Sequence, residues 1–163
     1  MFSAEIIKLA TETLRMARDK GLHLATAESC TGGLIMAALT GIAGSSDVVD
    51  RGFITYTNRA KMEVLGVSAK TLRIGGAVTR ETAIAMAEGA LEHSSASVAV
   101  SVTGIAGPGG GSAAKPVGLV HMAIARRDGE TVHEKHLFGE IGRDKVREAT
   151  VIAALGLFQK MMI

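Results

Sequence analysis

The chain reads as an α/β protein, a three-layer α/β/α sandwich built on a mixed, mainly parallel sheet containing one antiparallel strand. Three observations lead there. Helix-period and strand-like segments alternate through roughly the first hundred of the 163 residues, as crossover connections require. Arg127-Asp128-Gly129-Glu130 then separates two β-rich runs, a hairpin signal that calls for antiparallel pairing. Apolar residues make up 47% of the chain, enough to bury both faces of a sheet. No repeat, linker or low-complexity tract interrupts the pattern, so residues 1–163 are expected to form one domain.

The elements follow in order. Residues 3–19 place Ile6, Leu9, Ala10, Leu14 and Ala17 on one helical stripe, with Gly21 as the stop. Leu22–Ala27 is a short strand, and a helix is expected over Thr31–Leu39, ending near Gly41. Residues 43–46 form a loop. Arg51–Thr57 is a strand, and Asn58 or a neighbour caps a short helix carrying Lys61, Met62 and Leu65 that Gly66 closes. Gly75-Gly76 turns the chain into a helix over 80–92, with Ala83, Met86, Ala87 and Ala90 on one face. Ser97–Val102 is a buried strand, and Gly104 to Pro116 is a glycine-rich loop. Val117–Arg126 and Thr131–Phe138 are the hairpin strands. A helix over 143–161 closes the chain, burying Val146, Thr150, Ala153, Leu157 and Met161.

Composition excludes several roles. A net charge of +2 without a Lys/Arg block, 3% aromatics and no Trp give no nucleic-acid surface. The single Cys30 precludes an internal disulfide and fits a reducing, cytoplasmic setting. Glu5, Lys8 and Glu12 interrupt the first apolar residues, so no signal-peptide core is expected, and no apolar run is long enough for a membrane span. His133 and His136 fall on opposite faces of a strand while His23, His93 and His121 are scattered, so no metal site is expected. The small apolar residues suit self-association into a homo-oligomer of unspecified state.

The chemistry concentrates at residues 24–33, Leu-Ala-Thr-Ala-Glu-Ser-Cys-Thr-Gly-Gly. A strand ends there in hydroxyls and a thiol, and a helix follows. The amides of Cys30, Thr31, Gly32 and Gly33, with the positive end of that helix, are expected to face an anion. Ser29 beside such a site is a candidate nucleophile, although Thr26, Ser29 and Thr31 also suit plain helix capping. A serine needs a base. Lys61, on a short helix among apolar neighbours, is the candidate, because desolvation lowers an amine pKa. Tyr56 could hold that amine, and Thr103 closes the strand before the glycine loop. Ser29, Tyr56 and Thr103 all lie near carboxyl ends of strands, where open α/β sheets bind ligands. The loop 104–112 can wrap an anion with its amides, though it is neither a Walker A motif nor a dinucleotide fingerprint. Arg143, opening the last helix against the dipole, suggests an anionic partner. Cys30 is a competing nucleophile, as a thiol at a helix N-terminus would be activated, but no histidine is placed to partner it and a small buried thiol is common.

Four blocks in order then resemble one family: Thr-Ala-Glu-Ser-Cys-Thr-Gly-Gly (26–33), Tyr-Thr-Asn-Arg-Ala-Lys (56–61) with Leu-Gly-Val (65–67), Gly-Ala-Val-Thr (76–79), and Thr-Gly-Ile-Ala-Gly-Pro-Gly-Gly-Gly (103–111) with Lys-Pro-Val-Gly (115–118). Together they resemble the C-terminal domain of the competence/damage-inducible CinA family, across roughly residues 5–160. Stand-alone members of that family include nicotinamide-nucleotide amidohydrolases. The resemblance implies hydrolysis of nicotinamide mononucleotide, a small-molecule substrate, to nicotinate mononucleotide and ammonia, with no metal or cofactor. It implies Ser29 as nucleophile, Lys61 as general base, and Tyr56 and Thr103 as polar supports. Substrate binding would fall to Cys30, Thr31, Gly32 and Gly33, to Gly104, Gly107, Gly109 and Gly110 in the loop, and to Arg143. That arginine belongs to a family Gly-Asp-Arg…Val-Arg pattern, here Ile141-Gly142-Arg143…Val146-Arg147, with Gly142 in place of the acidic residue. A nucleotide-binding regulatory module that keeps the pocket without turnover is the alternative reading.

Overall fold

A computed structural model describes residues 1–163. The elements are α1 (Ala4–Asp19), β1 (Leu24–Glu28), α2 (Leu34–Thr40), β2 (Val49–Ile54), α3 (Asn58–Leu65), α4 (Ala69–Gly75), α5 (Arg80–Glu92), β3 (Val98–Gly104), β4 (Leu119–Arg126), β5 (Val132–Leu137) and α6 (Arg143–Met161). A single 3-10 turn, Ser45–Asp47, precedes β2. The five strands lie in the order β2-β1-β3-β4-β5. β1 pairs parallel with β2 and β3, while β4 runs antiparallel to both β3 and β5. One strand, β4, is therefore reversed in a mixed sheet with helices on both sides, as the patterning predicts.

The two faces of the sheet differ in side-chain size. On one, Leu24, Val98, Val100, Val102, Val120, Met122 and Ile124 pack beneath α1, α2 and α6. On the other, Ala25, Ala27, Ala99, Ala123 and Ala125 form a nearly flat surface. That flatness lets α5 lie close, with Ala83, Met86, Ala87 and Ala90 all buried against it. β1 is buried along its whole length, as a central strand must be. No helix is long and apolar enough to cross a membrane.

Several element limits depart from the sequence reading. α2 begins at Leu34 rather than Thr31, because Gly32 and Gly33 hold φ of +60° and +101°, values no α-helix contains. The cap of α3, expected at Asn58 or a neighbour, is Thr57, which accepts from the Ala60 amide. α4 has no counterpart in the sequence reading: it is short, is capped by Ser68 and buries only Leu72, so its periodicity is too weak to register. In α6 the buried set includes Val151, Ala154, Leu155 and Phe158, while Ala153 and Met161 are only half-buried.

Topology places the site. The chain leaves β1 toward one edge, to β2, and leaves β3 toward the other, to β4. The crevice beyond the carboxyl ends of β1 and β3 is the switch point where open α/β sheets bind ligands. α3 is held over this end by Gly89 of α5, where an added Cβ would overlap the Leu65 carbonyl. Gly89→Ala is expected to destabilise the protein by about 1–3 kcal/mol through overpacking. Urea unfolding at an unchanged m-value checks this, and wild-type stability would refute the close approach.

Candidate active site

Three strand ends meet in one cleft. Ser29 follows β1 directly, Tyr56 lies two residues beyond β2, and Thr103 and Gly104 end β3. The cleft of about 260 Å³ is lined by these residues together with Cys30, Lys61, the loop residues Gly107, Gly109 and Gly110, and Arg143. Ala77, Val78, Ile105 and Ala106 also line it, and sequence reasoning passed over them because small apolar side chains carry no chemical signal.

Lys61 is the anomaly. Its side chain is 0% exposed and is among the largest fully buried side chains in the protein. Nζ lies 2.8 Å from Ser29 Oγ, 2.7 Å from the Thr55 carbonyl oxygen and 3.2 Å from that of Tyr56. No carboxylate pairs with it. Burial therefore pushes the amine down from an ordinary 10.5 to about 8. The two carbonyls only accept, so they take two hydrogens in either protonation state. The third direction faces Ser29. Deprotonated, the amine must turn its lone pair toward the serine hydroxyl, which is the arrangement a base needs.

The helix end differs from expectation. The buried Glu28 carboxylate accepts from the amides of Gly33, Ile35 and Met36 and from the hydroxyls of Thr26 and Thr31. The first turn of α2 thus addresses an internal anion rather than the cleft. The Gly32 amide donates to the Ser29 carbonyl at 3.1 Å. Gly32 and Gly33 have no place in the cleft, and the Thr31 side chain is turned to Glu28. Of the amides from Cys30 to Gly33, only those of Cys30 and Thr31 donate to no other residue of the chain. The signal for Glu28 was present as an acid inside an apolar strand just before a helix, where only the amides of that helix could receive it.

The remaining candidates separate by what they touch. Tyr56 meets Lys61 through its carbonyl, whereas its phenol oxygen accepts from Arg143 at 3.1 Å. Arg143 also donates to the Gly107 carbonyl at 2.9 Å, tying α6 to the glycine loop across the mouth of the cleft. Thr103 donates to the Ala77 carbonyl and touches neither Ser29 nor Lys61 through a hydrogen bond. The amides of Ala106, Gly107, Gly109 and Gly110 donate to nothing within the chain. Cys30 belongs to the core, and burial pushes its thiol up to about 12, opposite to the activation expected of a helix N-terminus. The histidines are less scattered than the sequence suggests: His121 Nδ1 and His133 Nε2 lie 2.8 Å apart, and burial and that neighbour push His121 down to about 4. No three metal-ligating side chains gather anywhere.

Comparison with known proteins matches the chain to one family. The model of the CinA C-terminal domain matches residues 6–162. The chain is 55% identical, with a TM-score of 0.97, to the crystal structure of competence/damage inducible protein CihA from Agrobacterium tumefaciens, covering 99% of this chain and 98% of that one. It is 42% identical to nicotinamide-nucleotide amidohydrolase PncC of Escherichia coli strain K12, over 99% of this chain and 98% of that protein. A CinA-like protein of Syntrophobacter fumaroxidans is 50% identical over 89% of this chain, which spans only 34% of that longer relative. The chain thus spans about a third of the length of such long relatives and nearly all of the short ones.

The burial of Lys61 can be measured directly. A side-chain NMR titration is expected to give its amine a midpoint near pH 8, well below the ordinary lysine value. A midpoint at or above 10 would contradict the desolvated setting.

Proposed function

The chain belongs to the CinA C-terminal domain family, and from that premise we propose that it is a nicotinamide-nucleotide amidohydrolase. In this reading it converts nicotinamide mononucleotide and water to nicotinate mononucleotide and ammonia. The observation that carries the reading is the buried Lys61 amine 2.8 Å from Ser29 Oγ, with two carbonyls directing its third position at that oxygen. The amidohydrolase of Escherichia coli, matched end to end, supports the choice of amide.

In this reading Lys61 and Ser29 carry the steps. Neutral Lys61 removes the Ser29 proton as Oγ bonds to the carboxamide carbon of the nicotinamide ring. The negative charge moves to the former carbonyl oxygen, and the free amides of Cys30 and Thr31 receive it. The resulting Lys61 ammonium protonates the departing nitrogen, and ammonia leaves. Water, deprotonated by the same amine, then attacks the acyl ester. Oγ regains its proton, and the carboxylate product departs. The 5′-phosphate rests against the unpaired amides of Ala106, Gly107, Gly109 and Gly110 and against Arg143, which Tyr56 and the Gly107 carbonyl hold in place. Thr103 acts at one remove by fixing Ala77 on the cleft wall.

Ammonia release from nicotinamide mononucleotide tests the assignment. Ser29→Ala is expected to lose on the order of a thousandfold or more in kcat while retaining substrate binding. Cys30→Ala should stay within about tenfold, since a thiol held near 12 is scarcely ionised at neutral pH. Rate should climb as pH rises through about 8, because the ammonium present below that value cannot accept the serine proton. Full activity in Ser29→Ala, or loss confined to Cys30→Ala, would refute the serine route.

A further inference from the structure

α6 carries two arginines one turn apart. Arg143 faces the cleft, but Arg147 does not line it and instead borders a different cavity with Phe2, Ile6 and Leu34. From there its guanidinium reaches the turn that bears the nucleophile. Nε donates to the Cys30 carbonyl at 3.2 Å and Nη2 to the Thr31 carbonyl at 3.0 Å. Arg147 forms no ion pair with any carboxylate, so these two main-chain oxygens are what it binds.

The consequence is geometric. The peptides around residues 30–32 are trans, so each carbonyl and the N–H across the same peptide point in opposite directions. Holding the Cys30 carbonyl on Arg147 aims the Thr31 N–H away from the guanidinium. The Ser29 carbonyl accepts from the Gly32 amide, which makes 29–32 a β-turn. No residue other than glycine has positive φ, so Thr31 cannot occupy the third position of a type II turn. With both central residues at negative φ, the Cys30 and Thr31 N–H groups point to one side. That side is opposite Arg147, and Cys30, though not Thr31, is among the residues that line the cleft. A cation on the Cys30 carbonyl also polarises that peptide unit and strengthens the Thr31 N–H as a donor, while its hold on the Thr31 carbonyl strengthens the Gly32 N–H that closes the turn on the Ser29 carbonyl.

Resting on the amidohydrolase reading above, we propose that Arg147 is a positioning residue: it acts from behind the turn to orient the amides that receive the oxyanion and to polarise the Thr31 N–H among them. It touches no reacting atom. Its effect is therefore on kcat rather than on substrate affinity, and it leaves the ionisation of Lys61 alone.

The test compares wild type, Arg147→Met and Arg147→Lys in two assays: ammonia release from nicotinamide mononucleotide, and the rate of Ser29 labelling by a fluorophosphonate read by mass spectrometry. The second assay needs the same oxyanion donors but no amide. Arg147→Met is expected to lower kcat roughly tenfold to a hundredfold. KM should stay within about threefold, the pH midpoint should not move, and labelling should slow in parallel. Arg147→Lys should recover part of the loss, since it returns the charge without the planar fork. If circular dichroism shows Arg147→Met unfolded, the lysine variant decides: a lowered kcat at unchanged KM supports the proposal, and wild-type kcat overturns it. An unchanged kcat in Arg147→Met, a loss confined to KM, or a shifted pH midpoint overturns it as well. Slowed labelling in a protein that releases no ammonia would sink the substrate reading and leave Arg147 its role. Undiminished ammonia release would do the reverse.

Discussion

An amine with no carboxylate partner, sealed from water against a serine hydroxyl, is the constraint around which this molecule is organised. Lysine is rarely buried unless paired. Here the partners are two carbonyls at the end of β2 and Ser29 at the end of β1. That arrangement requires adjacent parallel strands ending level with one another, which the β1–β2 pairing provides. It also requires a helix that starts immediately and turns its first inward position back over the strand. Thr57 supplies the cap that begins α3, and Lys61 occupies that position four residues later. The close approach of α5 at Gly89 then fixes the far end of α3. A lysine that lost any of these supports could reach water and regain its ordinary basicity.

The carboxyl end of β1 divides its tasks by strand alternation. Thr26 and Glu28 point to the α2 side, and the Glu28 carboxylate satisfies the first amides of that helix. With the helix end occupied internally, the donors left for a ligand are the two amides beside the nucleophile. Burial of a carboxylate with five hydrogen-bond donors around it makes this a rigid corner rather than a flexible loop. Arg147 braces the same corner from α6. Strand end, helix start and a distant helix thus over-determine the few backbone atoms nearest Ser29, as preorganised electrostatic stabilisation demands.

The legible parts of the sequence were those with strong periodicity or residues that only chemistry explains. The alternation of elements and the Asp128-Gly129 hairpin were enough for a mixed sheet with one reversed strand. Ser29, Tyr56 and Thr103 were picked out near strand ends, Lys61 as a lysine among apolar neighbours and Arg143 as a cation opening a helix, and the structure lines one cleft with all five. What the sequence concealed was direction. Nothing in the pattern says that Tyr56 meets Lys61 with its carbonyl and Arg143 with its phenol. Nothing in it says that the α2 amides are taken by Glu28, five to eight residues earlier in the chain. Cys30 could be read two ways, as a thiol activated by its helix position or as a small buried one, and burial decides for the second. Pairwise contacts of long sequence separation, such as Arg147 with residues 30 and 31, lie beyond any local pattern.

The central claim, that the buried amine makes Ser29 a nucleophile toward a carboxamide, is tested most directly by trapping the covalent intermediate. Acid quench within the first turnover, followed by peptide mass spectrometry, should show the Ser29 peptide heavier by nicotinamide mononucleotide less ammonia. The adduct should vanish as turnover completes and should not form in Lys61→Ala. Turnover with an unmodified Ser29 peptide throughout, or with the adduct on Cys30, would contradict the account.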